Sequence, residues 1–355
     1  MRLLVLPGDG IGPEITDAAL SVLRAVDAEL GLGLRIDCRE VGLAALEAEG
    51  TTLPESVLTE ARSADGIILG PVSHHAYPPP DEGGRNPSGT LRIDLDLYAN
   101  LRPARSRSAL PSPVGAFDLV IVRENTEGFY ADRNMAVGSG EFMPTPDVAL
   151  SVRKITAAGS RRIALVAFKL AQTRRRHVTA VHKANVLRVS EEVFLREVRA
   201  VASEHPDVSL DDVLVDAAAA HLVRQPGRFD VIVTTNMFGD ILSDEASELA
   251  GGLGLAPSLN AGDAHALAQA QHGSAPDLAG QDRANPTSLI LSTAMLLRWL
   301  GSRSEENGAS LLRAADRVEA AVEDALAEPE GRTADLGGPL GTRAFGERVA
   351  ALIGG

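Results

Sequence analysis

The chain of 355 residues has a single cysteine, Cys38. One thiol cannot close an internal disulfide, which excludes a disulfide-held scaffold and points to a reducing, cytoplasmic setting. Basic residues are also short. Against 48 Asp and Glu stand 34 Lys and Arg, a formal net charge of -14. Nucleic-acid binders draw on clustered Lys and Arg, so this balance argues against nucleic acid as a partner. A small anionic substrate stays open, because a local arginine cluster can reverse the field in one cleft. Long apolar runs are missing too. No stretch reaches the roughly 18 residues of a membrane span, so no membrane role is expected. The uncharged stretch 249–262 is broken by Gly and Pro. The opening apolar run is broken by Pro7, Gly8 and Asp9, so no signal-peptide core is expected.

Apolar residues nonetheless make up 45% of the chain, enough for a real core. At roughly 150 residues per domain, about two domains are expected. Short β-branched or leucine-rich runs at 3–6, 66–70, 119–122, 163–166, 177–181 and 231–233 read as strands. Residues 15–30 and the segment with Val189, Val193, Phe194, Val198 and Val201 have helical periodicity. The alternation predicts an α/β chain with a largely buried parallel sheet. Two stretches break the rhythm. Residues 77–89 are rich in Pro and Gly and read as a loop. Residues 131–148 read as irregular, a functional loop, an interface arm or a disordered excursion.

Gly8, Gly10 and Gly12 lie between a strand and a helix, in Gly-Asp-Gly-Ile-Gly-Pro-Glu. A dinucleotide fingerprint needs G-x-G-x-x-G at that place. The spacing here is two and Pro13 follows, so a Rossmann reading fails and a tight turn before the helix is expected. Arg92, Arg102 and Arg123 form an arginine series, and Arg102 and Arg123 follow apolar, β-type segments. Arginine suits carboxylates because its planar fork binds them bidentately, although a lone surface arginine is commonly just solvated. Asp240 and Asp244 are four apart after the strand 231–233, which puts both on one helix face. Like charges there repel unless a cation lies between them, and hard oxygen ligands suit Mg²⁺ or Mn²⁺. Two solvated helix carboxylates are the plainer alternative. The segment 272–280 has loop composition, and Tyr130, Lys183 and Asp216, taken singly, read as structural.

Taken together and in order, these motifs resemble the β-decarboxylating dehydrogenases of 3-substituted malates. That family includes isocitrate, homoisocitrate, isopropylmalate and tartrate/D-malate dehydrogenases. The resemblance runs from Gly8-Asp9-Gly10 through Leu97-Tyr98-Ala99-Asn100-Leu101-Arg102-Pro103, Arg123-Glu124-Asn125-Thr126-Glu127-Gly128, His182-Lys183-Ala184-Asn185 and 236–244 to 272–280. It implies an isopropylmalate/isocitrate dehydrogenase-like α/β fold, not a Rossmann fold, with two interleaved α/β domains. Residues 1–99 and 251–355 would form the cofactor-side domain. Residues 100–250 would form a dimerisation and substrate domain, with an arm at about 131–150. The partners implied are a small polycarboxylate and a second copy of the chain, in a homodimer whose active sites share residues.

The resemblance also assigns roles. Arg92, Arg102 and Arg123 would hold the malate carboxylates. Asp216, Asp240 and Asp244 would bind Mg²⁺ or Mn²⁺, with Asp216 and Lys183 coming from the other chain. Lys183 would assist proton removal from the C2 hydroxyl, and Tyr130 would protonate the product enol. Ile11, His272, Gly273, Ser274, Ala275, Pro276, Asp277, Asn285 and Asp335 would bind the cofactor. A carboxylate at Asp277 accepts bonds from ribose hydroxyls and repels a 2′-phosphate, which favours NAD over NADP. An isopropyl pocket should be apolar, yet Ser88, Gly89 and Thr90 are small or polar. Arg85 would meet a distal carboxylate, or else be a loop cation. These features put homoisocitrate or isocitrate first, ahead of isopropylmalate (leucine biosynthesis) and tartrate/D-malate. A non-catalytic regulatory subunit would lack metal or proton-transfer residues, and all are present here. Two positions depart from the family pattern: Gln269 where Glu is usual, and Ala217 where Asn often follows the metal-binding Asp.

Overall fold

A computed structural model describes residues 1–130, 132 and 134–354. Its strands are β1 (Arg2–Leu6), β2 (Arg35–Cys38), β3 (Gly66–Leu69), β4 (Ala99–Arg105), β5 (Asp118–Glu124), β6 (Glu141–Thr145), β7 (Val148–Ser151), β8 (His177–His182), β9 (Ser209–Leu214), β10 (Val231–Thr234), β11 (Leu259–Ala261) and β12 (Ala266–Gln269). The helices are α1 (Gly12–Leu30), α2 (Leu43–Glu49), α3 (Glu55–Ser63), α4 (Pro87–Asp94), α5 (Ala157–Gln172), α6 (Arg188–Glu204), α7 (Val215–Arg224), α8 (Asn236–Leu249), α9 (Thr287–Gly301), α10 (Gly308–Ala327) and α11 (Thr342–Ile353). No helix among the described residues is long and apolar enough to cross a membrane.

The chain divides into two compact units. The first comprises Met1–Leu95, Gly252–Leu259 and Asp263–Gly355. Its strands run in the order β2-β1-β3-β12, all parallel. Leu3 to Leu6 are fully buried, as expected of a parallel strand covered on both faces.

The second unit comprises Asp96–Gly251 and Asn260–Gly262. Its strand order is β4-β5-β10-β8-β9. β5, β10, β8 and β9 are parallel, and β4 runs antiparallel to β5. Successive side chains of β5 alternate between two cores. Val120 and Val122 pack with Ile163, Phe168, Phe194 and Val198. Leu119 and Ile121 pack with Leu222, Phe229 and Leu242.

Three expectations are corrected. Residues 163–166 are not a strand but the middle of α5. Ile163, Ala164, Ala167, Phe168 and Ala171 are buried, a spacing of three to four, and the Thr156 side chain caps the helix by accepting from the Gly159 N–H at 3.0 Å. The expected loop 77–89 ends as helix, because α4 starts at Pro87 with Asn86 as its cap. The irregular stretch 131–148 holds β6 and, at its end, the start of β7, an antiparallel pair. Ala131 and Arg133, at the start of the expected arm, lie outside the described residues, as does Gly355.

Candidate functional site

In the second unit, β5, β10 and β8 are neighbours and parallel, so their carboxyl ends share one edge. Arg123 sits near the end of β5, α8 begins just after β10, and Lys183 immediately follows β8. Ligand-binding groups of α/β sheets gather at such carboxyl ends.

Arg123 is 2% exposed, a buried guanidinium that must find partners. Its Nε and Nη2 donate to Asn236 Oδ1 at 2.9 and 2.7 Å, and Nη2 also donates to the Tyr130 hydroxyl at 2.6 Å. Nη1 pairs with Asp240 Oδ1. Tyr130 in turn donates its hydroxyl to Asp240 Oδ2 at 2.7 Å. Arg102, from the middle of β4, sends Nη1 to Asp240 Oδ1 at 3.0 Å, Asp244 Oδ1 at 3.3 Å and Ser243 Oγ at 2.7 Å. Burial, then the neighbouring Arg123, pull the Arg102 pKa down to about 10, against the opposing pull of Asp240 and Asp244. It is still a cation at neutral pH.

The structure thus brings Arg102, Arg123, Tyr130, Asp240 and Asp244 together. Two carboxylates one helical turn apart converge on a single cationic nitrogen. Their donors are all oxygen, and both side chains are partly open to water, at 39 and 51% exposure. This fits a hard divalent cation that retains several waters. Asp216 lies elsewhere, in the first turn of α7. Lys183 Nζ donates to Asp216 Oδ1 at 2.5 Å, and this bond holds that carboxyl below its ordinary range. Among the described residues no three His, Cys, Asp or Glu side chains form a metal site. One chain therefore supplies two cation donors at one point and a Lys183–Asp216 pair at another.

In the first unit, the Ile11 N–H donates to Ser274 O at 2.8 Å. Gly10 has φ +60°, and a Cβ there would stand 2.0 Å from Ser274 O. Glycine is therefore required for the backbone to approach the 272–280 loop this closely. Asp9, 5% exposed, accepts from the Leu43 N–H at 2.7 Å, the Ser73 N–H at 2.8 Å and the Tyr77 hydroxyl. Burial, and then Asp9, push the Tyr77 pKa well above its ordinary value.

His272 Nδ1 lies 3.0 Å from Gly273 O. A carbonyl only accepts, so Nδ1 carries the proton. His272 Nε2 is then a buried acceptor with no partner among the described residues. Burial lowers the pKa of this ring and keeps it neutral. Ala275 has φ +35°, and Gly273, Pro276 and Asp277 are exposed. Asn285 donates to Asp335 Oδ2 at 3.0 Å. A neutral imidazole with its Nε2 open among the described residues and an outward carboxylate on one loop fit a nucleoside with ribose hydroxyls.

Ser88 and Arg92 share one face of α4. Both donate to Gln269 Oε1, at 3.0 and 3.2 Å. Arg85 stands apart from this group, with Nη1 3.8 Å from Glu55 and its side chain 45% exposed. Asn236, Ser243 and Gln269 are bonded to the candidate residues without having been given a role from sequence. Asn236 and Ser243 lie inside the 236–244 motif, and Gln269 was marked by standing where the family usually has Glu.

A family model described as isocitrate/isopropylmalate dehydrogenase matches residues 2–349. A 3-isopropylmalate dehydrogenase of Methanothermobacter thermautotrophicus is 43% identical, over 99% of this chain and 98% of its own. An isocitrate/homoisocitrate dehydrogenase of Thermus thermophilus is 44% identical over the same shares. The crystal structure of isocitrate dehydrogenase from Methylococcus capsulatus aligns with a TM-score of 0.88 and 40% identity, covering 100% of this chain and 99% of that one.

Proposed function

The chain belongs to the isocitrate/isopropylmalate dehydrogenase family and is a decarboxylating hydroxyacid dehydrogenase, and on that premise we propose NAD as its oxidant and homoisocitrate or isocitrate as its substrate. The convergence of Arg102, Arg123 and Tyr130 on Asp240 and Asp244 carries this reading.

In the proposed reaction Arg92, Arg102 and Arg123 bind the substrate carboxylates by charge-assisted hydrogen bonds. Asp240 and Asp244, with Asp216 supplied across a homodimer, would hold Mg²⁺ or Mn²⁺. When bound, that cation acidifies the C2 hydroxyl and offsets negative charge on the oxygen after CO₂ leaves. Lys183, from the other chain, would assist removal of the hydroxyl proton, and NAD when bound would accept the C2 hydrogen as hydride. Tyr130 donates a proton to carbon once the carboxyl group is lost. Its phenol is set for this, since Arg123 supports the oxygen left behind. Ile11, the loop 272–277, Asn285 and Asp335 hold the adenosine half of NAD, with Asp277 taking the ribose hydroxyls. The hairpin of β6 and β7 serves as the dimer arm.

The polar group of Ser88 and Gln269 beside Arg92 supports a substrate with a third carboxylate over one with an isopropyl group. The name of the Methanothermobacter relative favours isopropylmalate as the second reading. NAD reduction measured with homoisocitrate, isocitrate, isopropylmalate, D-malate and tartrate, each with Mg²⁺ and Mn²⁺, decides between them. The highest kcat/KM is expected with homoisocitrate or isocitrate. A higher value with isopropylmalate would overturn the substrate reading, and silence with all five would overturn the reaction.

A further inference from the structure

Arg153 lies just before α5, outside every motif of the sequence. Its side chain is 7% exposed and faces Glu191, which is fully buried, at 2.8 Å. Arg153 also donates to Ser190 Oγ and to Thr235 Oγ1, both at 2.9 Å. Its guanidinium stands 5.8 Å from the ring centre of Phe129 and 5.3 Å from that of Phe238. These contacts join three segments within the second unit. Phe129 precedes Tyr130. Thr235 is the N-cap of α8, one residue before Asn236, and Phe238 is two residues before Asp240. Glu191 completes the set. Burial raises its pKa, while Arg153, the His182 ring and the backbone N–H of Lys183 favour its charged form.

Neither Glu191 oxygen has a well-aligned hydrogen-bond donor among the described residues. A buried carboxylate held mainly by charge is a poor stabilising device, and a well-packed apolar pair is often as stable or more so. Packing alone gives no reason to have it there. Its neighbours do: one buried pair touches the segments that carry Tyr130, Lys183 and the start of α8.

We propose that Arg153 and Glu191 are a positioning pair that sets Tyr130 and the α8 carboxylates for proton transfer in their own site, and the Lys183 segment for the site that it serves in the other chain. This rests on the roles given above to Tyr130 and Lys183. Neither member touches a reacting atom. Arg153 acts through the Phe129 and Phe238 rings and the Thr235 cap, and Glu191 through the turn before it, where its N–H donates to Leu187 O at 3.0 Å and the Leu187 N–H to Lys183 O at 2.9 Å. Displacements of about 1 Å in such a shell are enough to lower turnover by about a hundredfold.

The test uses the full-length enzyme with its best acid from the panel and saturating Mg²⁺ and NAD. Arg153→Met should lower kcat about 10- to 100-fold, with KM for the acid changed by less than about threefold. Affinity for NAD, whose proposed residues lie in the first unit, should be unchanged. Arg153→Lys keeps the charge but not the fork. It should recover the melting temperature but only part of kcat. Glu191→Gln should lower kcat about tenfold without lowering the melting temperature. A merely structural pair gives the reverse pattern, a lower melting temperature with kcat intact well below it. A kcat within about twofold of the parent in both Arg153→Lys and Glu191→Gln overturns the proposal. If Arg153→Met does not fold, those two variants decide. A parent inactive with every acid overturns the reaction itself and this role with it, whereas an active parent with unaffected variants overturns only the positioning role.

Discussion

Asp240 faces two guanidinium groups and a phenol, so its charge is shared by three partners. Asp240→Asn should lower kcat/KM at least about a hundredfold and abolish Mn²⁺ binding read by electron paramagnetic resonance. It should also lower the melting temperature, because Arg102 and Arg123 lose their common counter-charge. Unchanged Mn²⁺ binding would exclude this residue as a ligand. Gln269 offers a different lever. As a neutral acceptor it orders Arg92 without cancelling its charge. Gln269→Glu should pair with Arg92 and lower kcat/KM for isocitrate relative to isopropylmalate by about tenfold, or ~1.4 kcal/mol. An unaltered ratio of the two would remove Gln269 from substrate choice. His272 supplies a pH dependence. Burial holds its pKa below the ordinary 6.5. The folded chain therefore keeps the ring neutral where the unfolded chain protonates it. The unfolded state binds the extra proton, so stability is full above about 6.5 and declines as pH falls toward the folded value. Urea unfolding of parent and His272→Gln at about pH 7.5 and about pH 5.5 should show a smaller loss in the variant. Equal losses would show that another group is responsible.

At the scale of the element, β6 and β7 are the exposed pair. Phe142, Met143, Val148 and Leu150 are 43 to 62% exposed, an apolar surface of the kind that marks an interface. Phe142→Asp combined with Leu150→Asp should elute as a monomer in size-exclusion chromatography and lose turnover. A variant that still elutes with the parent would contradict the arm role. The elements also show what the sequence discloses and what it hides. β1, β3, β5, β8 and β10 were legible because short apolar runs between breakers have few other readings. The run 163–166 was not, since four apolar residues fit a buried strand and a helix interior equally well. Only the wider spacing of Ile163, Ala167 and Ala171, with the Thr156 cap upstream, separates the two. Asp240 and Asp244 were legible because i,i+4 spacing is local. Arg153 and Thr235 meet across 82 positions of chain, and no local pattern marks such a pair. The tight turn before α1, with Pro13 in the first helical turn, was legible from the glycine spacing, but its grip on Ser274 is a long-range contact that spacing cannot reveal.

For the molecule as a whole, the net charge of -14 sits beside a site built on arginine. Buried positive charge gathers where carboxylates are already in place, so the cluster is balanced before any substrate arrives. That balance makes a statement about chelation. Removing divalent metal with EDTA should abolish turnover yet move the melting temperature by no more than about 2 °C, because Arg102 and Arg123 already neutralise Asp240 and Asp244. A much larger shift, read by differential scanning calorimetry, would make the metal a structural element instead.

The contact between Gly10 and Ser274 reaches beyond this chain's own chemistry. It fixes the root of the 272–280 loop through main-chain atoms, which substitution of the loop's side chains leaves in place. Gly10 itself has almost no room to vary, while Pro276 and Asp277 point outward and are free to change. On the coenzyme role proposed for this loop, preference between dinucleotides is separated from folding. A switch from one nicotinamide dinucleotide to the other could be made at the tip of the loop by a few substitutions, with the anchor left as it stands.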